Sequence, residues 1–207
     1  TDVTTPRAGA DDYLHKPIAP VELKSRVHIG ERILGLGDNL VQAKDALVHT
    51  AIFDPLTNML NPKAFVNLSR GELERARRNQ APLSLIALEI DNINEIRDKH
   101  GPGVGNDVLV LISKSIREKS RPYDGVGRYE DAVFLIPLPG VIGQDAEKIA
   151  ERIRKGILNA DISLLDGTAV SIKVSMGVVA SVRISVNTEI DLLIENVFEP
   201  KRESMDS

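Results

Sequence analysis

With 207 residues, 42% of them hydrophobic, the chain has room for one full domain plus a substantial further segment, and enough apolar mass for a packed core. Its 26 Lys and Arg against 30 Asp and Glu leave a net charge of −4, so it has no broad positive field for nucleic acid or an anionic membrane, and an anionic partner has to be held by a few placed arginines. The lack of cysteine excludes disulfides and thiolate metal sites, and no apolar run approaches the ~18 residues of a membrane span.

The first stretch, AGADDYLHKPIAPVELKSRV (Ala8 to Val27), predicts a turn, a short strand around Tyr13 and Leu14, and a helix from near Pro20. A long helix follows from about Val21 to His49. In it Ile29, Ile33, Leu36, Leu40, Ala43 and Leu47 recur at spacings of 4, 3, 4, 3 and 4 residues. A seam that narrow suits a two-stranded coiled coil, a parallel dimer stalk, with packing against a partner domain as the other reading. Gly30, Gly35 and Gly37 each weaken the helix by roughly 1 kcal/mol relative to alanine.

From Phe53 onward, helical and strand patterns alternate. Asn61 to Gln80 predicts an amphipathic helix with a basic end, and PLSLIALEI (Pro82 to Ile90) a strand buried on both faces. Asn106 to Ser120 and Gly143 to Ile157 predict further helices. VGRY and AVFLIPL make a hairpin whose turn residues are expected to be Glu130 and Asp131, an odd choice where two-residue turns favour residues that tolerate positive φ. Thr168 to Val182 alternates apolar and polar, as a strand with one less buried face does. The order β-α-α-β-β-α-β predicts an α/β fold, a central sheet covered by helices, with a long N-terminal helical stalk. IDLLIENVFEPKRES reads as a last helix that Pro200 ends early.

The first 37 residues resemble the last strand and helix of a two-component receiver domain. That resemblance implies for Lys16, beside Pro17, a contact to a phosphoryl group on an upstream aspartate. Thr1 is not an initiator methionine, which fits a fragment of something longer. His15, His28, His49 and His100 show no ligand spacing.

Four pieces of the remainder resemble the GGDEF domain of bacterial diguanylate cyclases: DPLTNMLN (Asp54 to Asn61), GPGVGNDVL, the RY and Phe around the hairpin, and VSMGVV. The expected organisation is residues 1–37 as a receiver remnant, 38–52 as a stalk continuing the helix from about 21, 53–200 as the GGDEF-like domain, and 201–207 as a tail. The resemblance implies a palm-like sheet of the nucleotidyl-cyclase kind. Active members join two GTP molecules into cyclic di-GMP with divalent metals.

The expected catalytic positions are altered here. The strand-end aspartate aligns with Glu89, whose extra methylene displaces a metal ligand. The five signature residues align with Glu130, Asp131, Ala132, Val133 and Phe134, so the two glycines are gone and the acidic ligand is Ala132. The acids at Glu130 and Asp131 face the triphosphate's place, where like charges ~4 Å apart repel by roughly 4 kcal/mol before salt screening. They are expected to be a solvated turn, with a new metal site including Glu89 as the rival reading. The guanine-reading pair aligns with Arg97 and Asn106, and Arg97 offers no acceptor. No catalytic residue, required cofactor or metal site is therefore expected.

The sequence RPYD (Arg121 to Asp124) matches in type and position the family's inhibitory site for cyclic di-GMP, and Arg152 aligns with that site's further arginine. Arginine can fork onto guanine or phosphate, and a carboxylate accepts from the guanine N1 and N2 edge. The other reading is a surface ion pair between Arg121 and Asp124. A second match to the pattern, RYED from Arg128 to Asp131, is taken as coincidence. The expectation is a cytoplasmic, catalytically inactive receptor for cyclic di-GMP that dimerises through its stalk, with a sensor kinase upstream, a protein effector, and no nucleic-acid or membrane partner. The alternatives are a docking scaffold that binds no nucleotide, and an active cyclase.

Overall fold

The computed structural model describes residues 17–121, 124–159, 170–181 and 188–205. Lys16 and the strand expected at Tyr13 and Leu14 lie outside them. The chain divides into two compact units, Thr1–Val48 and His49–Ser207. The first unit's described part is dominated by α1 (Pro20–Ile52), which has no buried residue along its length. Its seam residues are all exposed, from 53% at Ile29 to 72% at Leu40.

The second unit follows the expected order. After α2 (Pro62–Asn79) come β1 (Leu83–Ile90), α3 (Ile93–His100), α4 (Pro102–Lys119), β2 (Gly127–Arg128), β3 (Val133–Pro139), α5 (Gly143–Leu158), β4 (Val174–Ser181) and α6 (Ile190–Met205). The four strands form one sheet in the order β2-β3-β1-β4, with antiparallel neighbours. β1 is central, and its near-continuous apolar run is buried on both faces as the sequence predicts. Leu85 pairs with Pro137 and Leu83 with Pro139. β2 reaches only Leu135 and Phe134, so both prolines sit where β3 has become an edge strand and a missing N–H is tolerated.

Strand alternation sends Ile86, Leu88, Ile90, Phe134 and Ile136 into a core with Ile96, Val108, Ile112, Ile116 and Ile153 of α3, α4 and α5. Leu83, Leu85, Ala87 and Leu135 face the other way, against Phe65 and Leu73 of α2 and Leu193, Ile194 and Val197 of α6. A Cβ at Gly177 would lie 2.2 Å from the Val197 carbonyl oxygen, so the glycine of VSMGVV is what lets α6 lie on β4.

Pro200 does not end the last helix. α6 runs through it to Met205, into the residues expected to form a tail. A proline removes one amide bond, and the preceding turns are fixed independently by burial of Ile190, Leu193, Ile194 and Val197.

Candidate functional site

The hairpin tip is built differently from the two-residue turn expected. The Tyr129 amide donates to the Val133 carbonyl at 2.8 Å and the Val133 amide to the Glu130 carbonyl at 3.4 Å. The loop is therefore three residues long, Glu130 to Ala132. Among the described residues the non-glycine positive φ angles fall at Asn58 and Gln80, so the longer loop removes the demand for left-handed residues at the tip.

Glu130 and Asp131 are exposed at the tip, as a solvated turn is expected to be, but Asp131, 55% exposed, is also held by ion pairs. Its carboxylate accepts from Arg97 Nη1, from Arg97 Nη2 at 2.8 Å, and from Arg128 Nη2 at 3.2 Å. Arg128 Nε also donates to the Asp131 carbonyl at 2.9 Å, and its Nη1 reaches Asp54 Oδ1 at 3.1 Å and Oδ2 at 3.2 Å. Asp54 accepts from the Thr57 amide at 2.8 Å and the Thr57 hydroxyl at 2.7 Å. One chain of alternating charges thus runs from α3 across the hairpin to the DPLTNMLN turn. Its inner members are well covered, with side chains 12% exposed at Arg128 and 18% at Asp54.

The electrostatics follow from these bonds. Hydrogen bonding by Arg97 holds the Asp131 carboxyl below its ordinary range, and Arg97 is raised in return. Burial pushes Asp54 up, but the Thr57 and Arg128 bonds together outweigh it, and the carboxyl lies below its ordinary range.

Arg97 reaches this position across the first turn of α4. A Cβ at Gly105 would lie 2.5 Å from Arg97 Cγ, so the arginine stem rests on a bare glycine backbone beside Asn106. The guanidinium therefore spans the gap between α3, α4 and the hairpin, where the resemblance places guanine reading. Glu89 takes another direction. Half-buried opposite Val133, it lines a cavity of about 650 Å³ with Tyr129, Glu130, Ile194, Glu195 and Phe198.

A metal shared by Glu89, Glu130 and Asp131 is not what this arrangement offers. Asp131 is committed to two guanidinium groups, Ala132 brings no oxygen, and among the described residues no group of three or more His, Cys, Asp or Glu is placed to hold a metal ion. The residues present do not fit the divalent ions that the resemblance implies.

Arg121 and Asp124 do come together, in the tight turn after α4. The Arg121 amide donates to Asp124 Oδ2 at 2.8 Å and the Asp124 amide to the Arg121 carbonyl at 3.0 Å. The link is thus made by the backbone of Arg121, not by its guanidinium. Both residues line two adjacent cavities, about 400 Å³ beside Leu68, Arg117 and Ser120, and about 270 Å³ beside Glu72, Arg75 and Pro139. Arg152 does not line either cavity. Its Nη2 donates to the Lys119 carbonyl at 2.8 Å, capping the end of α4, and it lines an open basin along α5 with Glu147, Lys148 and Glu151.

Sequence reasoning missed Arg128 and the convergence of Arg97 on Asp131. The RYED pattern held a signal, an arginine three residues before an aspartate, but the partners on α3 and at Asp54 lie 31 residues before and 74 residues before Arg128.

Known proteins similar to this chain identify its family. The profile of the family described as "Diguanylate cyclase, GGDEF domain" matches residues 51–197. Response regulator PleD of Caulobacter vibrioides is 28% identical over 174 residues, 84% of this chain and 38% of PleD. Diguanylate cyclase DosC of Escherichia coli is 28% identical over 129 residues, 62% of this chain and 28% of DosC. The chain therefore spans well under half the length of these relatives. Among solved structures, diguanylate cyclase SiaD of Pseudomonas aeruginosa, in complex with its activator SiaC, is 26% identical with a TM-score of 0.68 over 88% of this chain and 74% of that one. The coiled coil and GGDEF domain of DgcB of Caulobacter crescentus, in complex with c-di-GMP, has a TM-score of 0.72 over 87% of this chain and 95% of that one. At 20% identity it shows the fold alone.

Proposed function

Because the chain belongs to the GGDEF family, we propose that it is a catalytically inactive member, a cyclic di-GMP receptor or regulatory module downstream of a receiver domain. The observation that carries this reading is the Arg97–Asp131–Arg128–Asp54 chain. A cyclase needs open acceptors for guanine and free carboxylates for metal. Here a guanidinium lies in the base's place, and of the two tip carboxylates Asp131 is neutralised by two arginines. Glu89 remains, but without an acidic partner at Ala132 it cannot complete a metal site.

The receptor half of the proposal rests on Arg121 and Asp124. Asp124 is pre-positioned by the Arg121 amide, and the exposed arginine stands at the mouth of two cavities. SiaD's complex with its activator supports a protein partner for this chain as well, and the resemblance of PleD, a response regulator, supports a receiver upstream and a sensor kinase acting on it. Dimerisation through the α1 seam belongs to the same proposal.

A second reading, a docking scaffold without nucleotide, is favoured by one observation. Arg152, the third expected ligand residue, is already occupied by the Lys119 carbonyl. Titration calorimetry with cyclic di-GMP separates the two. Arg121→Ala removes a charge-assisted contact of about 1.5–3 kcal/mol, so binding should weaken by roughly ten- to a hundredfold. Absence of binding at ~100 μM ligand favours the scaffold, and binding that survives Arg121→Ala places the site elsewhere.

A further inference from the structure

The two adjacent cavities share Arg121 and Asp124, and the other charges lining each decide where an anionic ligand can lie. The smaller is bounded by Glu72, Arg75, Arg121 and Asp124, two acids against two arginines. Arg75 is also committed to Glu72 at 2.6 Å, so this cavity offers a phosphate no surplus of positive charge. The larger is bounded by Arg117, Arg121 and Asp124, two arginines against one acid. A phosphate is therefore drawn to the larger cavity.

Three further features of the larger cavity suit a nucleotide. Arg117, in the last turn of α4 and four residues before Arg121, donates through Nη2 to the Asn58 carbonyl. That bond steadies the guanidinium at the cavity wall and uses only one of its five N–H donors. Ser120 also lines the cavity, and its Oγ is buried without a hydrogen-bond partner among the described residues. A buried hydroxyl is unfavourable unpaired, and an anionic oxygen in the cavity would supply the acceptor. Lastly, the half-buried ring of Phe53, packed on His49 with centroids 4.8 Å apart, forms part of the wall. An aromatic ring is a platform for a purine base, and among the described residues the smaller cavity has none in its lining.

Arg152 serves this site differently. It lines neither cavity, and its bond to the Lys119 carbonyl lies at the negative end of α4. The Ser120 amide takes the Ile116 and Arg117 carbonyls there. A helix C-terminus repels an anion, and these caps blunt that repulsion.

We propose that Arg117 and Phe53 complete the cyclic di-GMP site in the place expected of Arg152. Arg117 grips a phosphate together with Arg121, and the Phe53 ring stacks on one guanine. This assignment rests on the receptor reading of Arg121 and Asp124.

The test is titration calorimetry of the 207-residue chain with cyclic di-GMP. Arg117→Ala should weaken binding at least tenfold, whereas Arg152→Ala, which loses only the blunting of the helix end, should cost no more than about fivefold. Affinity should fall more steeply with salt in the unaltered chain than in Arg117→Ala, a difference that loss of the Asn58 bond alone does not produce. Phe53→Leu, which keeps the apolar bulk, should weaken binding at least tenfold, and Phe53→Tyr, which keeps the ring, should not. A larger loss on Arg152→Ala than on Arg117→Ala, an unchanged salt dependence, or equal binding by Phe53→Leu and Phe53→Tyr overturns the assignment. If Arg121→Ala still abolishes binding in that case, the receptor reading stands without it. No binding by the unaltered chain, or binding that survives Arg121→Ala, overturns both.

Discussion

At the scale of single residues, Asp131 shows what the proposed degenerate hairpin tip does instead of binding nucleotide. Active chemistry requires the hairpin backbone bare, whereas here the side chain turns to Arg97 and Arg128 and ties the tip to α3 and to Asp54. Both carboxyls lie below their ordinary value of 3.8 in the folded chain. The unfolded state therefore takes up protons first, and the stability these groups contribute is present above that value and lost as pH falls below it. Since Asp131 is 55% exposed, its share is small, about 0.2–1 kcal/mol. Arg97→Ala should therefore destabilise the domain slightly near neutral pH and flatten the loss below pH 3.8. Urea midpoints measured against pH for both proteins check it, and parallel curves would show that the pair has no role in stability.

At the scale of elements, α1 and α6 contrast two ways of using an apolar stripe. α6 buries Ile190, Leu193, Ile194 and Val197 on the sheet, and that packing carries the helix through Pro200. α1 buries none of its side chains, so its apolar residues remain available for other chains. If the Ile29 to Leu47 seam pairs two copies, Leu36→Asp places an unpaired carboxylate in that interface. A burial of this kind costs several kcal/mol, so the dimer should weaken on the order of a hundredfold and the protein should sediment as a monomer. A piece beginning at Phe53 should also be monomeric. Were the shorter piece to dimerise as well as the whole chain, the interface would lie outside the stalk.

For the whole molecule, the altered catalytic positions predict an absence of cyclase activity. GTP with magnesium or manganese should give no cyclic di-GMP even at concentrations where dimers form, and a turnover of even about 0.01 per second would overturn this. Restoring the tip alone, by Glu130→Gly, Asp131→Gly, Ala132→Asp and Val133→Glu, should not rescue it. Glu89, Arg97 and Asn106 remain, and removing Asp131 also releases Arg97 and Arg128 from their pairs. The sequence by itself determined the element order and the doubly buried β1, because side-chain period is a local property that neighbours in the chain already express. Tertiary structure alone decided that Asp131 is paired, that Arg152 caps α4 and lines a different cavity from Arg121, and that α6 survives Pro200. Each of these depends on groups brought together from distant parts of the chain, Arg97 with Asp131 and Lys119 with Arg152, and spacing along a sequence carries no record of such meetings.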